Sequence, residues 1–200
     1  MSQPEPHPPL PRKLRALAQR FDLAHVSVLD IGCGSGAHLA HFSERSLGLD
    51  RNPDCIADVL ERGLRAEECD VSKWGWSQGL GTFDLVFLSD ILVHLDDPRA
   101  FLEEVPGLLE PNGRVVIAEW SWPENPVLAT ALSCIIPGGR RTLTAPGHRR
   151  RYHRRTLMTD LGEAGLVIDD SSNHSLPPGP LTRALDSIWP PRTIVVRPAG

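Results

Sequence analysis

The chain has 200 residues, of which 40% are hydrophobic and 23% are charged, and its formal net charge at pH 7 is −4. This composition is typical of one globular domain with a buried core and excludes an intrinsically disordered chain. The small net charge predicts no nucleic-acid partner, and no apolar run approaches the ~18 residues of a membrane helix, which predicts no membrane partner. We expect a small-molecule partner, and a monomer or homodimer.

The chain contains four cysteines, which are Cys33, Cys55, Cys69 and Cys134. They form no CxxC pair and lack the spacing of a secreted disulfide framework, so we predict reduced thiols, no metal site and a cytoplasmic location. Residues 1–11 are rich in proline and contain no apolar core for a signal peptide. We therefore predict a disordered tail over residues 1–11 and a single domain over residues 12–200.

From residue 12 onward, helical and strand periodicities alternate. Apolar residues at helical spacing predict an amphipathic helix over residues 12–24, which could close over a site. The strands are predicted at residues 26–31, 46–50, 64–70, 83–89, 113–122, 167–172 and 192–198. The other helices are predicted at residues 36–44, 53–63, 98–110 (interrupted by Pro106) and 155–166. This alternation predicts an α/β fold with a parallel sheet and helices on both faces.

The alternating pattern weakens between residues 123 and 147, within a predicted insertion around residues 122–154. Prolines and the Gly138-Gly139 pair surround a short apolar run in this part of the chain. We predict an insertion over the carboxyl ends of the strands, which would act as a lid or as a substrate-recognition segment.

The strongest motif is VLDIGCGSG, residues Val28 to Gly36, in which an apolar strand ends at Asp30 and three glycines follow. Glycine permits the backbone angles of a tight turn and lets a ligand approach the main chain. Free N–H groups and the dipole of a following helix would favour an anionic ligand group. The pyrophosphate of a dinucleotide and the carboxylate of S-adenosylmethionine (SAM) both have this property.

Two features of this motif favour SAM over a dinucleotide. The third glycine, Gly36, follows the second after one residue instead of the two in the dinucleotide pattern. Asp30 would repel a pyrophosphate but attract the ammonium group of SAM. Asp50 ends the second strand, where a carboxylate accepts both ribose hydroxyls in either ligand class. Asp70 ends the third strand, in position to accept from an adenine amino group while Val71 offers its N–H.

Five motifs, in this order and spacing, resemble the class I SAM-dependent methyltransferases, especially the type-11 group, over residues 26–173: VLDIGCGSG, LGLDRNP, CDVS, FDLVFLSDILVHLDDP and GRVVIAEW. The segment GHRRRYHRRTLMTDLGEAGL is similar to a stretch of bacterial type-11 members. ERGLRAEECDVSKW and FLSDIL more loosely resemble methyltransferase-fold proteins associated with methionine biosynthesis. The resemblance implies a Rossmann-like, doubly wound, mostly parallel seven-stranded sheet whose last strand is antiparallel.

The resemblance also implies roles for residues at the strand ends. In that family the glycine loop holds the methionine part of SAM, the acid after the second strand holds the ribose, and the acid after the third strand meets adenine. The residue that ends the fourth strand faces the sulfonium. By motif match, the predicted cofactor-binding residues are Asp30, Gly32, Cys33, Gly34, Asp50, Arg51, Asp70, Val71 and Ser89.

Catalytic candidates must lie beyond the carboxyl ends of the fourth and fifth strands. His94 follows the fourth strand by about one helical turn, and an imidazole titrates near neutral pH, so His94 is the predicted base. It could instead only pack in the turn beside the cofactor. Glu119 ends the fifth strand, where it could polarise a substrate or pair with an arginine. Asp90 lies in the same region.

Substrate-binding candidates are aromatic and basic. Trp120 could pack on an apolar substrate or at the sheet edge, as could Trp74, Trp76 and Trp122. The basic run over residues 148–155 could bind a phosphate or carboxylate of the substrate, or be a solvated helix start. The residues predicted from this run are His148, Arg151 and Tyr152.

These features predict methyl transfer from SAM to the O, N or C atom of a small molecule, with proximity and orientation as the main catalytic device. The alternative is a non-catalytic or regulatory partner protein that binds SAM. An NAD-dependent oxidoreductase on the same kind of sheet is disfavoured by the glycine spacing and by Asp30.

Overall fold

A computed structural model describes residues 10–120, 149, 154–173 and 191–199. Within these residues the strands are β1 (Val28–Ile31), β2 (Leu47–Asp50), β3 (Ala66–Glu68), β4 (Phe83–Ser89), β5 (Leu109–Trp120), β6 (Leu166–Asn173) and β7 (Pro191–Pro198). The α-helices are α1 (Arg12–Ala18), α2 (Pro53–Glu61), α3 (Pro98–Glu104) and α4 (Arg154–Glu163). Short 3₁₀ turns cover Leu39–His41, Leu92–His94 and Val105–Leu108.

The seven strands form one sheet in the order β3-β2-β1-β4-β5-β7-β6. Strands β1 to β5 pair in parallel, whereas β7 runs antiparallel to both β5 and β6. The predicted mostly parallel sheet with an antiparallel last strand is therefore confirmed. The strand order reverses beside β1, where a crevice opens at the carboxyl ends of β1 and β4.

Alternate strand residues bury their side chains on opposite faces of the sheet. On one face, Leu29 and Leu88 join a large core cluster with residues of α3 and α4. On the other face, Phe87 joins a cluster to which α1 contributes Leu14 and Leu17, both nearly inaccessible to solvent. Side chains that alternate between the two faces, and are buried on both, are expected of a sheet that is covered on both sides. The helices that cover the two faces confirm the prediction of helices on both sides of the sheet.

One predicted helix is wrong. Residues 36–44 were expected to continue the glycine loop as a helix, but only the single 3₁₀ turn Leu39–His41 forms there. Gly36 has φ of 76°, which is not helical, and Phe42 is already extended. The Ser43 hydroxyl also donates to the Val26 carbonyl at 2.7 Å, which holds the chain against the start of β1. Tertiary contacts therefore overrode a helical pattern in this segment.

Other boundaries differ less. The first helix ends at Ala18 instead of near residue 24, and β3 is limited to Ala66–Glu68 instead of residues 64–70. The expected interruption at Pro106 is confirmed, because α3 ends at Glu104 and a 3₁₀ turn follows.

Two predicted segments fall largely outside the described residues. Of the proline-rich tail, the structure describes Leu10 and Pro11, and Leu10 packs partly buried against the cluster around Phe87. Of the insertion at residues 122–154, it describes Arg149 and the first residue of α4. Among the described helices, none has the length and apolar character to cross a membrane.

Substitution of Gly36 tests how tightly the glycine loop is packed. A Cβ at this position would lie 3.0 Å from Cγ2 of Val59, and φ is 76°. We expect Gly36→Ala to lower the free energy of unfolding by about 2 kcal/mol, through backbone strain and overpacking. Gly63 has φ of 72° with nothing within 4 Å of its Cβ position, so Gly63→Ala should cost only about 1 kcal/mol. Equal losses in urea unfolding would contradict the packing argument.

Candidate active site

A pocket of about 350 Å³ opens at the carboxyl ends of β1 to β4. Strand-end residues form most of its wall. The lining residues are Gly32, Leu49, Asp50, Arg51, Cys69, Asp70, Val71, Ser72, Ser89, Asp90, Ile91, His94, Leu95, Asp96 and Arg149. The structure thus brings together Gly32, the acids after β2 and β3, and the residues after β4, which are far apart in sequence.

Gly32 is a glycine for two physical reasons. Its φ is 76°, and a Cβ there would lie 3.1 Å from Cδ1 of Ile91, which also lines the pocket. A side chain at this position would therefore be strained and would also narrow the pocket.

Asp50 links the second strand to the glycine loop (Gly32–Gly36). One carboxylate oxygen accepts from the Gly34 amide and the other accepts from the Asn52 amide, both at 2.9 Å. Asn52 in turn caps α2 by accepting from the Asp54 amide. Each Asp50 oxygen keeps further acceptor capacity toward the pocket that it lines.

Asp70 and Val71 lie side by side in the pocket wall. One Asp70 oxygen accepts from the Ser72 hydroxyl at 2.6 Å and from the Ser72 amide at 3.2 Å. These hydrogen bonds, the hydroxyl first, hold the pKa of Asp70 below its usual value. Asp70 is therefore an ionised acceptor at neutral pH.

Asp30 is the most unusual side chain near the site. It is fully buried, and neither of its carboxylate oxygens has a hydrogen-bond partner among the residues that the structure describes. Burial, followed by repulsion from Asp50, raises its pKa to about 7, while the Lys13 ammonium acts in the opposite direction. A buried carboxylate without a partner is costly, which indicates a group that is kept for function.

Four of the five amides of the glycine loop are not free, contrary to the expectation from the sequence. Four of its N–H groups already donate within the protein: Gly32 and Cys33 to the Leu49 carbonyl, Gly34 to Asp50, and Gly36 to the Cys33 carbonyl. The described segment between Gly36 and β2 contains a 3₁₀ turn and no α-helix, so no α-helix dipole acts on the glycine loop. The expectation that this loop binds an anion through its amides and a helix dipole is therefore wrong for these four amides.

Ser89 and Asp90 follow the end of β4. Asp90 has φ of 55°, the single positive value among the described residues other than glycine. Its amide donates to the Ala118 carbonyl at 3.2 Å, which fixes the turn beside β5. Left-handed backbone outside glycine is uncommon and is concentrated at functional sites.

Lys13 contacts two residues of this site, a link that the sequence did not reveal. Its ammonium donates to the Ser89 hydroxyl at 2.9 Å and forms a short ion pair with Asp90. These residues are 76 and 77 positions apart, and no local pattern links them. The only sequence signal was that the first helix could close over a site.

His38 lies close to Lys13 and was also missed. Its ring packs edge-on against Phe87, with 5.3 Å between the ring centroids. Burial, with a smaller effect from the Lys13 charge, holds the pKa of His38 below its ordinary value of 6.5. At neutral pH this imidazole is therefore uncharged.

His94 and Arg149 also line the pocket. His94 is half-buried in the turn after β4, and its amide donates to the Ile91 carbonyl. Arg149 donates its amide to the Val93 carbonyl at 2.8 Å and pairs with Asp96. The basic run over residues 148–155 thus reaches the pocket at this residue.

The remaining predicted residues divide into two groups. The Cys33 side chain is buried away from the pocket, beneath Leu39, and Trp76 stacks on Phe101 in the core. Glu119 and Trp120 end β5, but their side chains lie outside the described part of the structure, as do His148, Arg151 and Tyr152 entirely. The three described cysteines, Cys33, Cys55 and Cys69, have free thiols.

Comparison with known proteins identifies a family and relatives of this chain. A family described as a methyltransferase domain matches residues 7–171. The ubiquinone biosynthesis O-methyltransferase of Xanthomonas oryzae pv. oryzae is 28% identical over 116 residues, 54% of this chain and 48% of that protein. A dTDP-3-amino-3,6-dideoxy-alpha-D-glucopyranose N,N-dimethyltransferase of Streptomyces fradiae is 28% identical over 152 residues, 72% of this chain and 59% of that protein. The chain thus spans about half the length of these relatives.

Solved structures share the fold. The YcgJ protein of Bacillus subtilis superposes with a TM-score of 0.65 at 18% identity, covering 94% of this chain and 99% of that one. Magnesium protoporphyrin IX methyltransferase from Synechocystis PCC 6803, solved with bound S-adenosylhomocysteine (SAH), gives a TM-score of 0.61 at 17% identity, with 92% and 80% coverage. Together with the family match over most of its length, these results show that the chain belongs to the class I SAM-dependent methyltransferase family.

Proposed function

We propose that this protein transfers the methyl group of SAM to an O, N or C atom of a small-molecule acceptor. The observation that carries the proposal is the pocket at the strand ends, which Gly32, Asp50 and Asp70 line, with the buried Asp30 carboxylate two residues before Gly32 in the chain. A nucleoside with a zwitterionic amino-acid tail has complementary groups for each of them.

The residues present fit SAM. Asp50 keeps acceptor capacity for ribose hydroxyls, and Asp70 with Val71 offers an acceptor and an N–H for adenine. Asp30 needs a nearby cation, and the cofactor's ammonium supplies one. Gly32, Arg51 and Ser89 also line the pocket, and Cys33 and Gly34 contribute to the glycine loop through their main chain.

The relatives' names support a small-molecule acceptor. One of them is an O-methyltransferase of ubiquinone biosynthesis and another methylates the amino group of a nucleotide sugar. Their acceptor atoms differ, so the same fold serves oxygen and nitrogen chemistry. For this chain we propose only the class of acceptor, which is a small molecule.

When bound, SAM supplies a methyl group on a positively charged sulfur, which an in-line nucleophile displaces. The protein's task is then to align the acceptor and, for a hydroxyl, to accept its proton. We assign proton removal to His94, which lines the pocket, and substrate polarisation to Glu119 at the end of β5. Trp120, at the end of β5, and His148, Arg151 and Tyr152, within the insertion over residues 122–154, are proposed to contact the acceptor.

The experiment that tests this function has two parts. Calorimetry with SAH and with NADH should give binding heat for SAH alone, and purified protein should transfer labelled methyl from SAM to a component of a small-molecule extract. Binding of NADH without binding of SAH would refute the proposal. Tight SAH binding with no transfer to any extract fraction would instead support a non-catalytic SAM-binding protein.

A further inference from the structure

Asp90 lies on the side of the pocket that the proposed function leaves for the acceptor. Ser89 ends β4, Asp90 follows it, and both residues line the pocket. The Asp90 amide donates to the Ala118 carbonyl of β5 at 3.2 Å, so this turn lies between the ends of β4 and β5. The proposed function gives the ends of β1, β2 and β3 to the cofactor. The acceptor therefore has to approach the methyl group past Asp90.

The Asp90 carboxylate has acceptor capacity left. Its Oδ2 atom pairs with the Lys13 ammonium, which also donates to the Ser89 hydroxyl at 2.9 Å. Its Oδ1 atom accepts no hydrogen bond from the residues that the structure describes, and the side chain is 38% exposed. A carboxylate has about four acceptor positions, so a second cation can bind Asp90 without displacing Lys13.

The charges around Asp90 favour a cationic acceptor over an anionic one. Lys13 also acts on the buried Asp30 carboxyl, so one ammonium serves two acidic groups. Two arginines line the described pocket, but Arg51 follows β2, and Arg149 is already in an ion pair. An anionic group would be repelled by Asp90, whereas an ammonium group would be attracted to it.

Transfer to nitrogen moves positive charge toward the acceptor. An alkylammonium first gives one proton to the His94 imidazole, the group to which the proposed function assigns proton removal. The nitrogen lone pair then forms the N–C bond, while the C–S bond breaks and leaves its electron pair on sulfur. The nitrogen ends with the positive charge that the sulfur has lost.

A carboxylate beside the acceptor distinguishes nitrogen from oxygen. It stabilises the positive charge that develops on nitrogen in the transition state. An ionised hydroxyl is instead an anionic nucleophile, and the same carboxylate would repel it before the reaction begins. Asp90 therefore favours transfer to an amine.

We propose that the acceptor is an amine, and that the Asp90 carboxylate binds its ammonium group and stabilises the charge on nitrogen during transfer. This inference rests on the proposed function. It selects nitrogen among the O, N and C atoms, and it gives the residue after β4 a role in acceptor specificity.

The first test removes amines from the pool of acceptors. A small-molecule extract is acetylated with N-acetoxysuccinimide and then treated with hydroxylamine, which restores the hydroxyl groups and leaves the amines acetylated. Wild-type protein with labelled SAM should transfer methyl to a mock-treated extract and lose this transfer with the acetylated one. Mass spectrometry should place the methyl group of the product on nitrogen.

Transfer that survives acetylation would overturn the proposal, as would a product that is a methyl ether or a methyl ester. An absence of transfer to the mock-treated extract would refute methyl transfer itself, and this inference with it. The failure of the inference alone is therefore distinct from the failure of the proposed function.

The second test is Asp90→Asn, which keeps the size of the side chain and tolerates the φ of 55° at this position. With SAM saturating, the initial rate of labelled transfer to the mock-treated extract should fall about tenfold, the scale of one lost contact to a partly exposed charge. The calorimetric affinity for SAH should stay within about threefold of wild type, since the lost contact is to the acceptor.

Asp22→Asn is the matched control, because Asp22 is exposed, pairs with His25 and does not line the pocket. It removes the same charge and should leave the rate of transfer unchanged. An equal loss of rate in both variants would assign the effect to the overall charge of the protein and overturn the proposal. An unchanged rate in Asp90→Asn would overturn it too, as would a tenfold loss of SAH affinity, which would assign Asp90 to the cofactor.

Discussion

Asp30→Asn is expected to stabilise the protein without ligand at pH 8, by up to about 4 kcal/mol, and at the same time to weaken SAH binding. The gain follows from removing a charge that is fully buried and has no hydrogen-bond partner. The loss of affinity follows if this charge attracts the cofactor's ammonium. A single substitution would then separate stability from function.

The raised pKa of Asp30 determines how the free energy of unfolding depends on pH. The pKa of Asp30 is about 7 in the folded protein and 3.8 in the unfolded chain, because burial and then Asp50 disfavour the ionised form. Between these values the folded state binds more protons, so the contribution of Asp30 to stability is present below pH 3.8 and is lost as pH rises toward 7. At 1.36 kcal/mol per pKa unit, the loss at pH 8 is at most about 4 kcal/mol.

The measurement is urea unfolding of wild type and Asp30→Asn between pH 4.5 and 8. The stability gap between them should be largest at pH 8 and should narrow as pH falls. Asp84→Asn is a control of opposite sign, since hydrogen bonds from Ser27 lower the pKa of Asp84 and make its charge stabilising at neutral pH. A gap for Asp30→Asn that is independent of pH would show that the pKa of Asp30 is not raised in the folded protein.

Asp50→Ala is expected to weaken SAH binding by roughly 1.5–3 kcal/mol, the scale of hydrogen bonds to a charged group. The substitution removes the proposed ribose acceptor. It also removes the acceptor of the Gly34 amide at 2.9 Å, so the glycine loop loses its link to β2. Both effects reduce affinity, and the second also reduces stability.

Calorimetry with SAH checks this prediction, in a variant whose circular dichroism matches wild type. Asp58 lies exposed on α2, and Asp58→Ala removes the same charge without touching the pocket, so it should leave the affinity unchanged. Unchanged SAH affinity in folded Asp50→Ala would remove Asp50 from cofactor binding.

Much of the fold was predictable because its signals are local. The apolar strands, the turn glycines and the proline that interrupts residues 98–110 each depend on neighbouring residues in sequence. The helix expected at residues 36–44 failed because Phe42 and Ser43 are held by contacts with other parts of the chain. Periodicity reports which face of a segment is apolar, and it does not report whether tertiary contacts will allow the helix.

The acids at the strand ends were found from the sequence because parallel strands finish at one edge of the sheet. Asp50, Asp70 and Ser89 do line one pocket. The sequence also placed Asp30 beside this edge, but its complete burial and its missing hydrogen-bond partners depend on what packs around it.

By itself, the sequence determined the order of the strands and of the helices other than the one expected at residues 36–44, the glycine turn and the set of acids, since each is encoded within a short window. Only the tertiary structure decided which amides remain available in the glycine loop, the raised pKa of Asp30, and the contact of Lys13 with Ser89 and Asp90. These properties depend on distance and burial in space, and residues 76 positions apart carry no local signal of either.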